Sequence, residues 1–162
     1  MAHTSRDANL LGAAALAVAE RLPADAADAT LIALSTWLGG TTIDGLARVL
    51  HLTHSGAVRL ADRLAGDGLL ERRPGPDGRS RALHLTATGQ RRAGALQAGR
   101  LDALEELLAP LDAAERGVLT PLLEKLLGGL TTGHESAGRT CRLCDPDVCG
   151  HPDTCPVTLA AR

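Results

Sequence analysis

A chain of 162 residues, 44% of them apolar, carries enough apolar surface for one sizeable core. A net charge of −2 excludes a uniformly basic, polycation-like binder of nucleic acid, and no apolar run is long enough to cross a bilayer. With Trp37 the sole aromatic and Leu, Ala and Val dominating the apolar content, the core must come from leucine-rich helices.

Residues 1–9 are polar and lack the apolar segment of a secretion signal, so the expected location is the reducing cytoplasm. An Ala/Leu pattern over 10–22 predicts a first helix that ends before Pro23, and residues 26–38 predict a second, closed by Gly39-Gly40. Thr41 is placed to cap a short third helix, with Asp44 as its capping-box partner and Ile43, Leu46, Ala47 and Leu50 on one face. Thr53 caps a fourth helix to about residue 65, whose buried stripe is Ala57, Leu60, Ala61 and Leu64 and whose opposite face carries His54, Ser55, Arg59 and Arg63.

Gly66-Asp67-Gly68 ends that helix. Residues 69–73 and 81–85 then read as two strands around the turn at 74–78, a hairpin with an arginine-rich tip. Thr86 caps a long fifth helix to about residue 108, and Asp112 with Glu115 forms a capping box for a sixth, ending near Gly128-Gly129 and kinked at Pro121. Leucines 101, 104, 108 and 111, then 119, 122, 123, 126 and 130, make apolar stripes too long for a small winged domain to cover, which predicts burial against a second copy of the chain.

The charge is segregated. Residues 41–100 hold ten arginines and five acids, net +5, while the remainder is net −7. Such a distribution sets one positive face against phosphate in a protein that is acidic elsewhere. Two short helices, a tight turn and an arginine-tipped hairpin follow the order of a winged helix-turn-helix, in which the second helix presents its N-terminal side chains to the major groove. Arg59 and Arg63 lie four apart and share a face, suited to bidentate contact with guanine or phosphate. Thr53, His54 and Ser55 sit at the helix N-terminus, which itself attracts phosphate.

Residues 34–92 resemble the MarR family of transcriptional regulators. The likeness rests on Leu60-Ala61-Asp62-Arg63-Leu64 with Gly68-Leu69-Leu70-Glu71-Arg72, on Asp77-Gly78-Arg79-Ser80-Arg81, and on Leu85-Thr86-Ala87-Thr88-Gly89. The resemblance implies a mainly α fold: a winged helix-turn-helix core over about 30–89 inside a domain of 8–132, with N- and C-terminal dimerisation helices at 8–22 and 87–131 and a small β-hairpin wing. It implies that 53–65 is the recognition helix, that Arg79, paired with Asp77, reaches the minor groove from the wing beside Arg81, and that a homodimer binds an inverted repeat in double-stranded DNA. Half-sites would then lie roughly 34 Å apart. Gly56 departs from the expected pattern, since glycine inside a helix costs about 1 kcal/mol relative to alanine. Family members often sense small molecules, but no residue here identifies an effector or its site.

Residues 133–140 read as a linker to a tail at 141–162, where Cys141, Cys144, Cys149 and Cys155 follow a cysteine-free stretch of 140 residues in a C-x2-C-x4-C-x5-C pattern. Four thiolates this close can fill a tetrahedral structural zinc site. The same spacing, with Pro156 after the last cysteine, also suits an iron-sulfur cluster, and metal-free thiols would make a redox switch. His134 and His151 read as ordinary loop histidines, since four cysteines already complete the site.

An enzyme is not expected. No glycine-rich phosphate loop follows a strand, and adjacent His54 and Ser55 point different ways on a helix with no orienting acid. The expected function is a DNA-binding transcriptional regulator, a repressor, with a cysteine site that is structural or senses metal or redox state. The alternative is a metal-binding interaction adaptor that kept the winged fold without sequence-specific DNA binding, although Arg59, Arg63, Arg79 and Arg81 are all present.

Overall fold

The computed structural model describes residues 5–22, 25–75 and 78–162. Among these are eight helices and one antiparallel hairpin, of which the first six helices and the hairpin follow the expected order. Helix α1 (Arg6–Arg21) begins four residues earlier than its leucine pattern suggests, because the Ser5 hydroxyl accepts the Ala8 N–H at 3.1 Å and caps it. Helix α2 (Ala26–Thr36) is capped by Asp25 and buries six consecutive residues, Ala29 to Leu34. A run buried on every face marks it as the central rod: α5 packs on one side, and α3, α4 and the hairpin on the others.

Helix α3 (Ile43–Leu50) corrects the expected cap. Thr42, not Thr41, caps it, accepting the Gly45 N–H at 3.3 Å. Asp44 is thereby released from any capping box and turns to His54 instead, its Oδ1 lying 2.7 Å from His54 Nδ1. His51 then takes a left-handed conformation (φ 54°) and turns the chain into helix α4 (His54–Gly66), capped by Thr53 as expected. The glycine at 56 has a reason: its N–H donates to Thr53 Oγ1 at 3.1 Å, and a Cβ there would stand only 3.0 Å from that oxygen.

Strands β1 (Leu70–Pro74) and β2 (Arg81–Leu85) pair in register from Leu70 opposite Leu85 to Pro74 opposite Arg81. The Leu83 N–H donates to the Thr41 carbonyl at 2.8 Å and the Gly40 N–H to the Leu83 carbonyl at 3.0 Å, so the turn before α3 ties the outer edge of β2 to the helical core. Leu31, Leu34, Leu46, Leu60, Leu64, Leu70 and Leu83 fill that core, aliphatic throughout.

Helix α5 (Ala87–Leu108) starts at the Thr86 cap, and α6 (Ala113–Leu130) at the reciprocal Asp112–Glu115 capping box, whose two hydrogen bonds are both 2.9 Å. The helix continues through Pro121. Residues 133–140, expected to be a linker, are instead largely α7 (His134–Cys141), which a Glu135–Arg139 ion pair one turn apart supports at 2.6 Å. Helix α8 (Pro156–Ala160) was not foreseen either; Pro156 opens it with the fixed φ that suits a first helical position. Helix α7 packs on α3, and α8 on α6 and α7, so the tail is seated against the winged core.

Candidate nucleic-acid interface and thiol cluster

On α4 the stripe Ala57, Leu60, Ala61 and Leu64 faces the core, which sets His54, Ser55, Arg59 and Arg63 in solvent on the other side. Thr53 lies just ahead of them, its oxygen occupied by the cap and 3.4 Å from the Ser55 hydroxyl. Arg59 and Arg63 flank a shallow groove floored by Leu52, Gly56 and Leu60. The His54–Asp44 contact spans the two helices of the helix-turn-helix at their exposed ends.

The hairpin carries Arg79 and Arg81, both exposed. Gly75 accepts the Gly78 N–H and donates to the Ser80 carbonyl, each at 2.9 Å, and Gly78 takes a left-handed φ of 66°, so the chain reverses at this glycine. Asp77, expected to pair with Arg79, lies outside the described residues. Two contacts that the sequence pattern does not announce hold the hairpin in place. Arg72 of β1 donates to Asp62 of α4 at 2.8 Å, joining the hairpin to α4. At the hairpin base the Thr86 hydroxyl donates to the Gly68 carbonyl at 2.6 Å and the Thr86 N–H to the Leu69 carbonyl at 3.1 Å. Gly89 permits this approach: a Cβ there would fall 1.9 Å from the Leu69 oxygen. The Thr86-to-Gly89 motif is therefore a steric and hydrogen-bonding seat for the wing.

Helices α1 and α6 bury none of their residues within the chain. Leu10, Leu11 and Leu16 on α1 and Val118, Leu122, Leu123, Leu126 and Leu130 on α6 are all exposed, Leu130 to 71%. An apolar surface of that extent marks an interaction face.

The four cysteines come together in one apolar cluster with Val157, Trp37, Leu127 and Ala137, and Cys141 and Cys155 are buried. Cys141 acts chiefly on Cys144 and Cys149 on Cys155, while the Cys149 thiol also donates to the Pro146 carbonyl at 3.9 Å. Donation from Cys141 lowers the Cys144 thiol to about 7 against the pull of burial, with the Arg100 and Arg142 guanidiniums assisting; the same bond, burial and the neighbouring sulfurs hold Cys141 far above its ordinary range. Burial raises Cys149. Burial opposes ionisation of Cys155 as well, but the Thr158 hydroxyl, the Thr158 and Val157 N–H groups and the Cys149 thiol together bring it down.

Within each pair one thiol is lowered and its neighbour raised. Among the described residues, no three His, Cys, Asp or Glu side chains stand as an assembled metal-ligand group, so the expected four-thiolate shell is not assembled here. His151 is more than a loop residue: its Nδ1 lies 2.9 Å from Thr158 Oγ1 and its ring meets Trp37 edge-on at 4.7 Å. The Trp37 indole N–H donates to the Cys144 carbonyl at 3.1 Å, and Gln97 of α5 donates to the Leu143 carbonyl at 3.2 Å. These two bonds fasten the thiol loop to the core. A lone tryptophan at the end of a helix was the available hint of such a role.

No protein-family model matches the chain, and no curated relative matches it. Solved structures do. Rv1404 from Mycobacterium tuberculosis is 26% identical with a TM-score of 0.62 over 75% of this chain and 88% of that one. MepR, a transcription regulator of the Staphylococcus aureus multidrug efflux pump MepA, is 18% identical with a TM-score of 0.63 over 78% and 99%. The M. tuberculosis MarR family protein Rv2887 is 22% identical with a TM-score of 0.59 over 77% and 96%. With the hairpin seated beside α4 and the long helices α1, α5 and α6 flanking that core, the chain has the winged helix-turn-helix fold of the MarR-family transcriptional regulators.

Proposed function

We propose that two copies of this chain form a homodimer that binds an inverted-repeat operator in double-stranded DNA and represses transcription. The observation that carries the reading is the solvent face of α4, where His54, Ser55, Arg59 and Arg63 stand beside a hairpin bearing Arg79 and Arg81, with the Arg72–Asp62 pair bracing one against the other. A helix so exposed fits the major groove, and the hairpin arginines fit the phosphates and minor groove beside it. The unburied leucines of α1 and α6 support a second copy as the partner, because isologous pairing covers both faces at once.

Zinc, held by Cys141, Cys144, Cys149 and Cys155, is the resident ion in this reading. The donor set fits it: four thiols share one cluster, Cys144 and Cys155 are shifted towards the thiolate, and binding displaces the protons the thiols still hold. Zinc supplies a fixed crosslink of the tail.

Selection of bound duplexes from a random pool tests the DNA reading. Enrichment of an inverted repeat, lost in an Arg59→Ala/Arg63→Ala double variant that still folds, is the expected result; binding without sequence enrichment would leave the interaction adaptor in its place. Elemental analysis of protein purified without oxygen tests the metal. One zinc per chain is expected, and iron with labile sulfide would replace zinc by a cluster.

A further inference from the structure

A cavity of about 400 Å³ lies where the end of α2 and the outer side of α3 face the tail helices α7 and α8. It is separate from the DNA-facing groove on α4, and also from a smaller cavity of about 250 Å³ that α1, α2 and α5 enclose around Ile32 and Leu96. Its volume falls in the range of small-molecule sites, roughly 300–1,000 Å³. Trp37, Leu38, Val49, Ala137 and Val157 give it apolar walls. The polar groups around it are His134, His151, Thr158, Arg162 and the Cys141 thiol, which burial and its neighbours keep protonated, and no Asp or Glu side chain lines it.

These polar groups are not equally available. His151 Nδ1 is engaged by Thr158 Oγ1 at 2.9 Å. Arg162 gives one N–H to the Pro152 carbonyl at 3.1 Å, and a guanidinium has five N–H donors in all. An apolar chamber with a guanidinium at its edge and no carboxylate side chain has the chemistry to select a molecule with an apolar body and one anionic head.

We propose that this cavity binds a small apolar carboxylate, its body against Trp37, Val49 and Val157 and its carboxylate at Arg162. The site is composite. Trp37, Leu38 and Val49 belong to the winged core and the remaining walls to α7 and the cysteine tail, so an occupant touches both and ties one to the other. The proposal stands independently of DNA binding, and its test uses no DNA.

Trp37 is the only tryptophan and there is no tyrosine, so the intrinsic emission of the full chain reports on this cavity and not on the α1–α5 one. Octanoate and octanol serve as a matched anionic and neutral pair. The filling variant is Gly138→Leu: a Cβ at Gly138 meets only Val49 Cγ2, at 3.8 Å, so the added side chain enters the cavity without a backbone clash and replaces a helix-weakening glycine. The expected result is a saturable shift of Trp37 emission with octanoate, at least tenfold weaker in Gly138→Leu and severalfold weaker in Arg162→Gln, with octanol binding less tightly and indifferent to Arg162→Gln. An unchanged emission up to about 10 mM octanoate, weaker than the ordinary millimolar limit of specific binding, would overturn the site. Equal binding by Gly138→Leu, its helix content confirmed by circular dichroism, would overturn it too. Octanol binding as tightly as octanoate would overturn the anionic selectivity.

Discussion

Replacing Gly89 by alanine should destabilise the protein, although the same change one and a half turns along α5, at Gly94, should stabilise it. Both glycines lie inside the helix, where alanine ordinarily gains about 0.8–1 kcal/mol. Gly94 has nothing within 4 Å of a built Cβ and takes that gain in full. At Gly89 the new carbon would stand 1.9 Å from the Leu69 carbonyl oxygen and 2.9 Å from its carbon. Backbone must therefore retreat by about 1 Å to reach even the 3.0 Å limit of real contacts.

That retreat strains the Thr86 N–H bond to the Leu69 carbonyl and the Leu69 N–H bond to the Leu64 carbonyl, worth about 0.5–1.5 kcal/mol each. Overpacking of this kind costs about 1–3 kcal/mol. Strained bonds and overpacking together cost about 2–6 kcal/mol, so after the helix-propensity gain Gly89→Ala should lose about 1–5 kcal/mol. Urea unfolding followed by circular dichroism, with both variants at one protein concentration because subunit association adds to stability, reads the difference. A Gly89→Ala protein as stable as the parent would refute the steric reading of the wing seat; so would a Gly94→Ala protein destabilised to the same degree.

Arg79→Ala should weaken duplex binding and lower the slope of log affinity against log salt by about 1, as expected for one lost phosphate contact; titration at several salt concentrations measures it, and an unchanged slope would remove Arg79 from the interface. Cys144→Ser should abolish zinc uptake while leaving most helix content, because the winged core is filled by leucines remote from the thiols; loss of the far-ultraviolet helix signal would make the cluster a folding staple instead. In metal-free protein Cys144 should alkylate first, half-maximally near pH 7, the value to which the Cys141 bond and two arginines bring it. Its lowered value stabilises the fold above its ordinary 9.0, an effect lost as pH falls through about 7. Cys141 has the opposite sign: its raised value stabilises the fold below 9.0 and the effect is lost as pH rises further. Metal-free stability should therefore climb from pH 7 towards 9, and a thermal melt that falls over that interval would contradict the pairing.

The sequence is most informative where structure is made by a side chain and its own neighbouring backbone. Thr53, Thr86 and the Asp112–Glu115 box each cap the helix expected of them, since a cap is decided within four residues. Thr41 and Thr42 expose the limit of such reasoning. Two identical side chains compete for one role, and the choice falls to the bond between the Thr41 carbonyl and Leu83, forty residues away. The tail was hardest to read. Glycine and threonine around 131–140 suggest a linker when taken alone, but α7 and α8 are stabilised by contacts with α3 and α6 that no local pattern encodes. The arginines of α4 were legible because the buried stripe assigns them to the outside, whereas the ion pairs that tie α4 to its neighbours, His54 with Asp44 of α3 and Asp62 with Arg72 of β1, join separate elements and follow from no local pattern.

Trp37 closes α2 and, through its indole, grips the carbonyl of Cys144 across 107 positions of sequence. One side chain thus belongs to both the scaffold of the helix-turn-helix and the thiol loop, and the two cannot change independently. Thermodynamic reciprocity fixes the terms of that bond: whatever factor an ion at the cysteines applies to the affinity for DNA, DNA applies the same factor to the affinity for the ion. If an ion at the cysteines changes the affinity for DNA at all, a DNA-bound chain holds that ion with a correspondingly different tenacity from one free in solution.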